Sequence, residues 1–146
     1  MTQPNIHVVD ALVDLVNSEW DSSNVTDEYV VIGKSDEIGK GRDVGTYDYV
    51  EFSVTSPTNI SYADLFMSTQ DVDVAVFVEI KSSSSARRDV LFDEFRRIIE
   101  ANRQRPETPG DFDRMIFQDV TPLDDQSFDA YTYEVVVAFE SRSRTV

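Results

Sequence analysis

The chain contains no cysteine, which removes a disulfide framework, a thiolate metal site and a cysteine nucleophile together. It has one histidine, His7, set between Ile6 and Val8 at the start of an apolar-periodic stretch. There it reads as a helix-start side chain, and two-histidine metal sites and Ser-His-Asp chemistry are set aside with it. No run of about 18 apolar residues occurs, and the amino end MTQPNIHVVD lacks a basic stretch followed by an apolar one. Neither a membrane span nor a secretory leader is expected.

Positive charge is also scarce. Acidic residues number 28 against 13 basic ones, for a formal net charge of −15, and only Lys34, Lys40 and Lys81 are lysines. The acids lean to Asp and the bases to Arg. In dilute buffer so much like charge on a compact body repels itself, whereas molar salt shortens the screening length to about 3 Å. The balance suggests a protein made in a high-salt cytoplasm; the plainer alternative is an ordinary acidic domain. On either reading this surface is not built for sequence-independent attraction to nucleic acid phosphates.

What is present suffices for a core. The chain has 146 residues, 40% of them apolar, with nine Phe and six Tyr, and a domain of this size buries roughly 70% of the surface its unfolded chain exposes. One domain spanning residues 1–146 is expected.

Apolar residues recur at three- and four-residue steps from Ile6 to Trp20 (Val9, Leu12, Val13, Val16), which predicts a first helix capped by Asn5 and ended by the polar run from Asp21 to Asn24. Strands are predicted from Tyr29 to Gly33 and from Tyr47 to Val54, joined through the Gly-rich, charged SDEIGKGRDVG as a hairpin connection. The segment from Pro57 to Gln70 stays open between a short helix and a docked loop carrying Tyr62, Leu65, Phe66 and Met67. Val72, Val74, Val76, Val78 and Ile80 alternate with Asp73, Ala75, Phe77, Glu79 and Lys81 and predict a central strand. A Ser-led helix follows from Ala86 to Arg103, and RPETPG stops it. Two further strands, Arg114 to Val120 and Tyr131 to Ser141, are separated by PLDDQ and pair as a hairpin with a long loop. Strand and helix do not alternate throughout. The predicted class is therefore α+β, a mixed or antiparallel sheet of four to six strands with the two helices packed on one face.

Two patterns invite a chemical reading. GKSDEIGKGR is compared with a phosphate-binding loop and fails: Gly33 and Gly39 are one residue too far apart, and Gly41 stands where Ser or Thr should follow Lys40. Glu79 and Lys81, with Asp64, Asp71 or Asp73 upstream, match the Asp…Glu-x-Lys arrangement of magnesium-dependent nucleases. The same residues equally describe the polar face of an amphipathic strand.

Six of the ten arginines fall at Arg87, Arg88, Arg96, Arg97, Arg103 and Arg105, so the second helix is the one basic element on an acidic chain. Two readings stand side by side. Either the arginines are matched locally by Asp89, Asp93, Glu94 and Glu100 at salt-bridge spacing, or Arg87, Arg88, Arg96, Arg97 and Arg103 dock on an acidic face of a neighbouring copy.

The layout of IHVVDALVDLVNSEW, VDVAVFVEIK, SARRDVLFDEFRRIIEANR and YTYEVVVAFES resembles that of the tail terminator (tail completion) proteins of long-tailed viruses, and the composition resembles that of a virus of a halophilic archaeon. The resemblance implies a virion protein made in the host cytoplasm. It would form a hexameric ring that caps the tail tube, stops its growth and joins tail to neck, so that its partners are the tail tube protein and a neck or head-completion protein. Genome DNA would pass through an acidic lumen without specific binding. The family carries no catalytic residues, so no enzyme activity, cofactor or metal is implied. The loop from Ser35 to Gly45, with Glu37, Lys40 and Arg42, and the carboxyl tail SRSRTV are the candidate partner contacts. Another neck, connector or tube subunit is the alternative within this class, and the nuclease using Glu79 and Lys81 is the alternative outside it.

Overall fold

The computed structural model describes residues 8–25, 30–34, 48–54, 59–62, 65–67, 69–104, 112–125 and 130–145. In chain order these form α1 (Val8–Glu19), β1 (Val30–Lys34), β2 (Asp48–Val54), β3 (Asn59–Tyr62), β4 (Thr69–Ser82), α2 (Ser85–Ala101), β5 (Arg114–Asp125) and β6 (Ala130–Thr145). The strands make one six-stranded sheet in the order β1-β2-β4-β6-β5, with β3 also paired to β4. The sheet is mixed: β1 and β2 run parallel, and every other pair is antiparallel.

The valine alternation produces the long central strand. Along β4 every second residue from Gln70 to Ser82 is buried, and the intervening ones are half-buried. Period-two patterning sends Val72, Val74, Val76, Val78 and Ile80 to one face, where they meet Val50 and Phe52 of β2 and Val135, Val137 and Phe139 of β6. α1 places Val8, Leu12, Leu15 and Val16 on this face, and α2 places Leu91, Phe95, Ile98 and Ile99 beside them. Both helices thus cover the same side of the sheet, which is the α+β arrangement expected. Aromatic edges fix the contact: the Phe95 ring lies 6.1 Å from Phe52 and 6.1 Å from Phe117. Each such side chain removed from water contributes about 1.5–3 kcal/mol.

The connection expected to be a hairpin is not one. β1 pairs with β2 in parallel, Val30 opposite Asp48 and Lys34 opposite Phe52, and parallel neighbours require a crossover rather than a tight turn. The alternation that marks a strand is the same in either direction, so it could not reveal this. The connecting residues 35–47 lie outside the described residues, as does the expected Asn5 cap.

β5 and β6 do pair antiparallel, from Arg114 opposite Glu140 to Asp125 opposite Ala130. Their ends move, however. Pro122, Leu123 and Asp124 belong to β5 rather than to a loop, and four residues, 126–129, separate the two strands. β5 lies at the sheet edge, where a residue without an N–H is tolerated. β6 likewise runs on to Thr145, so most of the expected exposed carboxyl tail is strand, with Ser141 buried.

Within the stretch from Pro57 to Gln70, residues 59–62, 65–67 and 69–70 are described. β2 and β3 lie on the same side of β4, Val54 opposite Val76 and Asn59 opposite Asp73. β3 then returns into β4 through a turn in which Leu65, Phe66 and Met67 are exposed rather than docked or helical.

Candidate functional site

The arginine-bearing helix is the first candidate, and its geometry begins at its cap. Ser84 takes an extended backbone and its Oγ accepts the Arg87 amide at 3.3 Å, satisfying one of the open N–H groups of the first turn. From that start the helix aims its arginines at particular acids.

Arg87 Nε donates to Asp48 on β2 at 2.9 Å. Arg88 is buried, bonds Asp124 on β5 and stacks its guanidinium 4.1 Å from the Tyr133 ring centroid on β6. Tyr133 in turn donates its hydroxyl to Asp89 at 2.7 Å, and this bond together with burial raises its pKa above the usual phenol value. The first turn of α2 is thereby tied to strands on both sides of β4.

Further along, Arg97 forks onto Glu94, with Nε at 2.7 Å and Nη2 at 2.9 Å, and its Nη2 also donates to the Glu19 carbonyl at the end of α1. Glu94, only 3% exposed, accepts besides from the Asp21 amide at 2.7 Å and from Asn24 Nδ2 at 3.1 Å. Arg97, and after it Asp21 and Asn24, hold the Glu94 carboxyl below the ordinary carboxylate range, although burial acts the other way. Asn102 adds a last tie, donating to Glu19 Oε2 at 3.0 Å. Asp21 and Asn24, two of the four polar residues after α1, thus clamp α2 through Glu94.

Arg87, Arg88 and Arg97 therefore face acceptors of their own chain. Arg96 is exposed and pairs along the helix with Glu100 at 3.0 Å, and Arg103 is exposed where the helix ends. Arg97 is exposed as well, its side chain 44% accessible, but it is held by Glu94 and the Glu19 carbonyl. Glu37, Lys40, Arg42 and Arg105 lie outside the described residues.

Glu79 and Lys81 lie on the sheet face opposite the helices. Lys81 Nζ is 2.8 Å from Glu79 Oε2 and 3.4 Å from Glu51 Oε1. Glu51, Glu79 and Glu134 form a row across β2, β4 and β6, an arrangement of like charges that the lysine offsets. Asp73 is six residues along the same strand from Glu79, about 20 Å away at the strand rise. It pairs with Arg142 at 2.7 Å. The carboxylates of the nuclease pattern therefore do not converge through Asp73, or through Asp71 beyond it, and Asp64 lies outside the described residues. Among the described residues no group of three or more His, Cys, Asp or Glu is placed to hold a metal ion, and no helix is long and apolar enough to cross a membrane.

Sequence spacing alone exposes the Glu94–Arg97 and Arg96–Glu100 pairs, three and four residues apart. It misses Asp48, Asp124, Glu19 and Tyr133, because each comes from a segment far away in the chain and nothing local marks it as a partner.

No family model matches this sequence, and no curated protein matches it. Among solved structures, the fold is similar to that of a chain in the virion of a native gene transfer agent (GTA) particle, with a TM-score of 0.56 and 11% identity, covering 95% of this chain and 100% of that one. At that identity the likeness is one of fold.

Proposed function

We propose that this chain is a single-domain structural subunit of a virus-like particle, of the tail terminator type: a ring at the head-proximal end of a tail tube that stops tube growth and joins tail to neck. The observation that carries the reading is the end-to-end likeness of fold to a chain of a gene transfer agent virion, which leaves almost no part of either chain unmatched. Three features support it. The polar groups of α2 lock the subunit internally, as a rigid building block requires. Two exposed basic side chains, Arg96 on α2 and Arg103 just past its end, are available to a neighbour. The net charge of −15 suits a lumen through which DNA slides without sticking.

Mass measurement and electron microscopy of the purified protein in molar salt test the proposal. Closed rings, and arrest of tube polymerisation when they are added to a tail tube protein, are the expected results. A chain that remains solitary at every salt concentration and has no effect on tube length would refute it. Rings that bind elsewhere in the particle without arresting the tube would point to another neck or connector subunit.

A further inference from the structure

Arg103 differs from the other cations. Among the basic side chains the structure describes, Lys34, Lys81 and every other arginine lie against a carboxylate of their own chain. Arg103, exposed just past the end of α2, does not. On a chain with 28 acidic residues against 13 basic ones, an exposed arginine without a carboxylate is the exception, and arginine is enriched where proteins meet.

The packing of α2 sets its position. The Phe92 ring lies 6.1 Å from Phe117 of β5, and Ile99, Glu100 and Arg103 lie beside Met115, Ile116 and Phe117 of the same strand. Arg96, one turn after Phe92 and two turns before Arg103, falls on that flank as well. Arg97, one residue round the helix, reaches the Glu19 carbonyl of α1 instead. The β5 flank of α2 therefore points away from α1, toward the edge of the sheet that β5 forms.

The opposite edge is acidic. α1 packs over β1 and β2, and β1 is the strand at that edge. Because Val8, Leu12, Leu15 and Val16 turn inward, Asp10, Asp14 and Asn17 line the outer side of the helix, all three exposed. Asp10 is paired with Lys34 at 2.8 Å. Asp14 has no basic side chain against it among the described residues. Arg103 of the same subunit cannot reach it, since β1 and β5 stand four strand spacings apart, about 19 Å.

We propose that Arg103, with Arg96 beside it, meets Asp14 on α1 of the next copy of this chain. The complementary charges sit on opposite flanks of one helix layer, so copies standing side by side bring the β5 flank of one to the α1 flank of the next. Asp119 and Asp124 of β5 lie on the same edge as Arg103, and a side-by-side neighbour does not present them to it. Such a contact is head-to-tail, and it closes into a ring when the rotation between neighbours divides a full turn. Salt screens the general repulsion between copies that each carry −15, while a pair taken out of solvent at a seam is screened much less. The contact decides which flanks meet more than how tightly they hold. The inference rests on the ring reading above and names the two flanks through which the ring is built.

A charge exchange tests it. Arg103→Glu and Asp14→Arg each set like charges against one another, and each should weaken assembly by about tenfold or more in sedimentation across a salt series. Both positions are exposed and outside the ion pairs of the fold, so below the assembly concentration the thermal melt of each variant should match wild type. Arg103→Glu with Asp14→Arg in one chain should assemble again. An equal mixture of the two single variants should assemble too, its copies pairing in alternation. Single variants that assemble as wild type does, or an exchange that restores nothing, would overturn this contact and leave the ring reading standing. A wild-type chain that is solitary at every salt concentration would overturn both.

Discussion

Glu94→Ala is the replacement that probes the architecture most directly. The Glu94 carboxylate is 3% exposed and takes two bonds from Arg97, one from the Asp21 amide and one from Asn24. A hydrogen bond to a charged group contributes about 1.5–3 kcal/mol, but four bonds on one carboxylate are not additive, and Arg97 can turn to solvent when its partner is gone. The Asp21 amide and the α1–α2 contact cannot be rehydrated so easily. The expected loss is about 3 kcal/mol, taken at the low end of the range for breaking a buried pair because only Glu94 is buried while Arg97 is 44% exposed. For a chain of this length that lowers the midpoint of thermal unfolding by about 6–12 °C.

Urea unfolding at fixed molar salt is the suitable assay, because a partly buried pair is screened much less than a surface one. The same clamp has a signature in pH. Arg97 holds the folded-state pKa of Glu94 below its ordinary value, so the stabilisation is fully present above the unfolded pKa of about 4.3 and is lost as pH falls through the lower folded value. The difference in stability between wild type and Glu94→Gln should therefore shrink below about pH 4. A Glu94→Ala loss under about 0.5 kcal/mol, or a double-mutant cycle with Arg97→Ala that shows no coupling, would refute the clamp.

Charge reversal should separate two arginines that are neighbours in sequence. Arg97→Glu should cost about 2–4 kcal/mol by placing a second carboxylate against Glu94, whereas Arg96→Glu should stay within about 1 kcal/mol in urea unfolding and bear only on assembly, read by sedimentation. Lys81→Met should destabilise by about 2 kcal/mol, because it removes the cation lying between the cross-strand Glu51 and Glu79; a neutral result in the same unfolding assay would show that the row of glutamates does not depend on it. Arg88→Lys keeps the charge but loses the guanidinium bond to Asp124 and the stacked plane over Tyr133, for an expected loss of about 1–2 kcal/mol, together with a change in tyrosine near-ultraviolet circular dichroism.

The elements that could be read from the sequence are those whose signal is local. Valine alternation placed β4, three- and four-residue apolar steps placed α1 and α2, and a serine run supplied the α2 cap. Where the signal is shared by alternatives it failed. The parallel direction of β1 against β2 depends on packing over a sheet and not on alternation. Pro122 and the hydrophilic residues beside it look like a loop until the strand is known to lie at the edge. The candidate site divides in the same way. The concentration of arginine on one helix was visible, but the direction of each guanidinium was decided by Asp48, Asp124 and Glu19, acceptors brought in by other strands and by α1. The exposed tip at Leu65 to Met67 was visible only as an apolar cluster, which by composition looks like a docked segment.

The inward turning of the arginines bears on how copies of this chain could meet. Arg87, Arg88 and Arg97 each neutralise an acid of their own subunit, so little of the positive charge of α2 is left to attract a neighbour. The outward surface is then dominated by carboxylates, and two copies approaching in dilute buffer repel each other before any short-range contact can form. Salt lifts that repulsion without weakening an apolar contact, whereas it weakens an arginine–carboxylate contact between exposed groups. Assembly that rises steadily with sodium sulfate would therefore favour an apolar seam between subunits, and assembly that peaks and then declines would favour Arg96 and Arg103 as its main attachment.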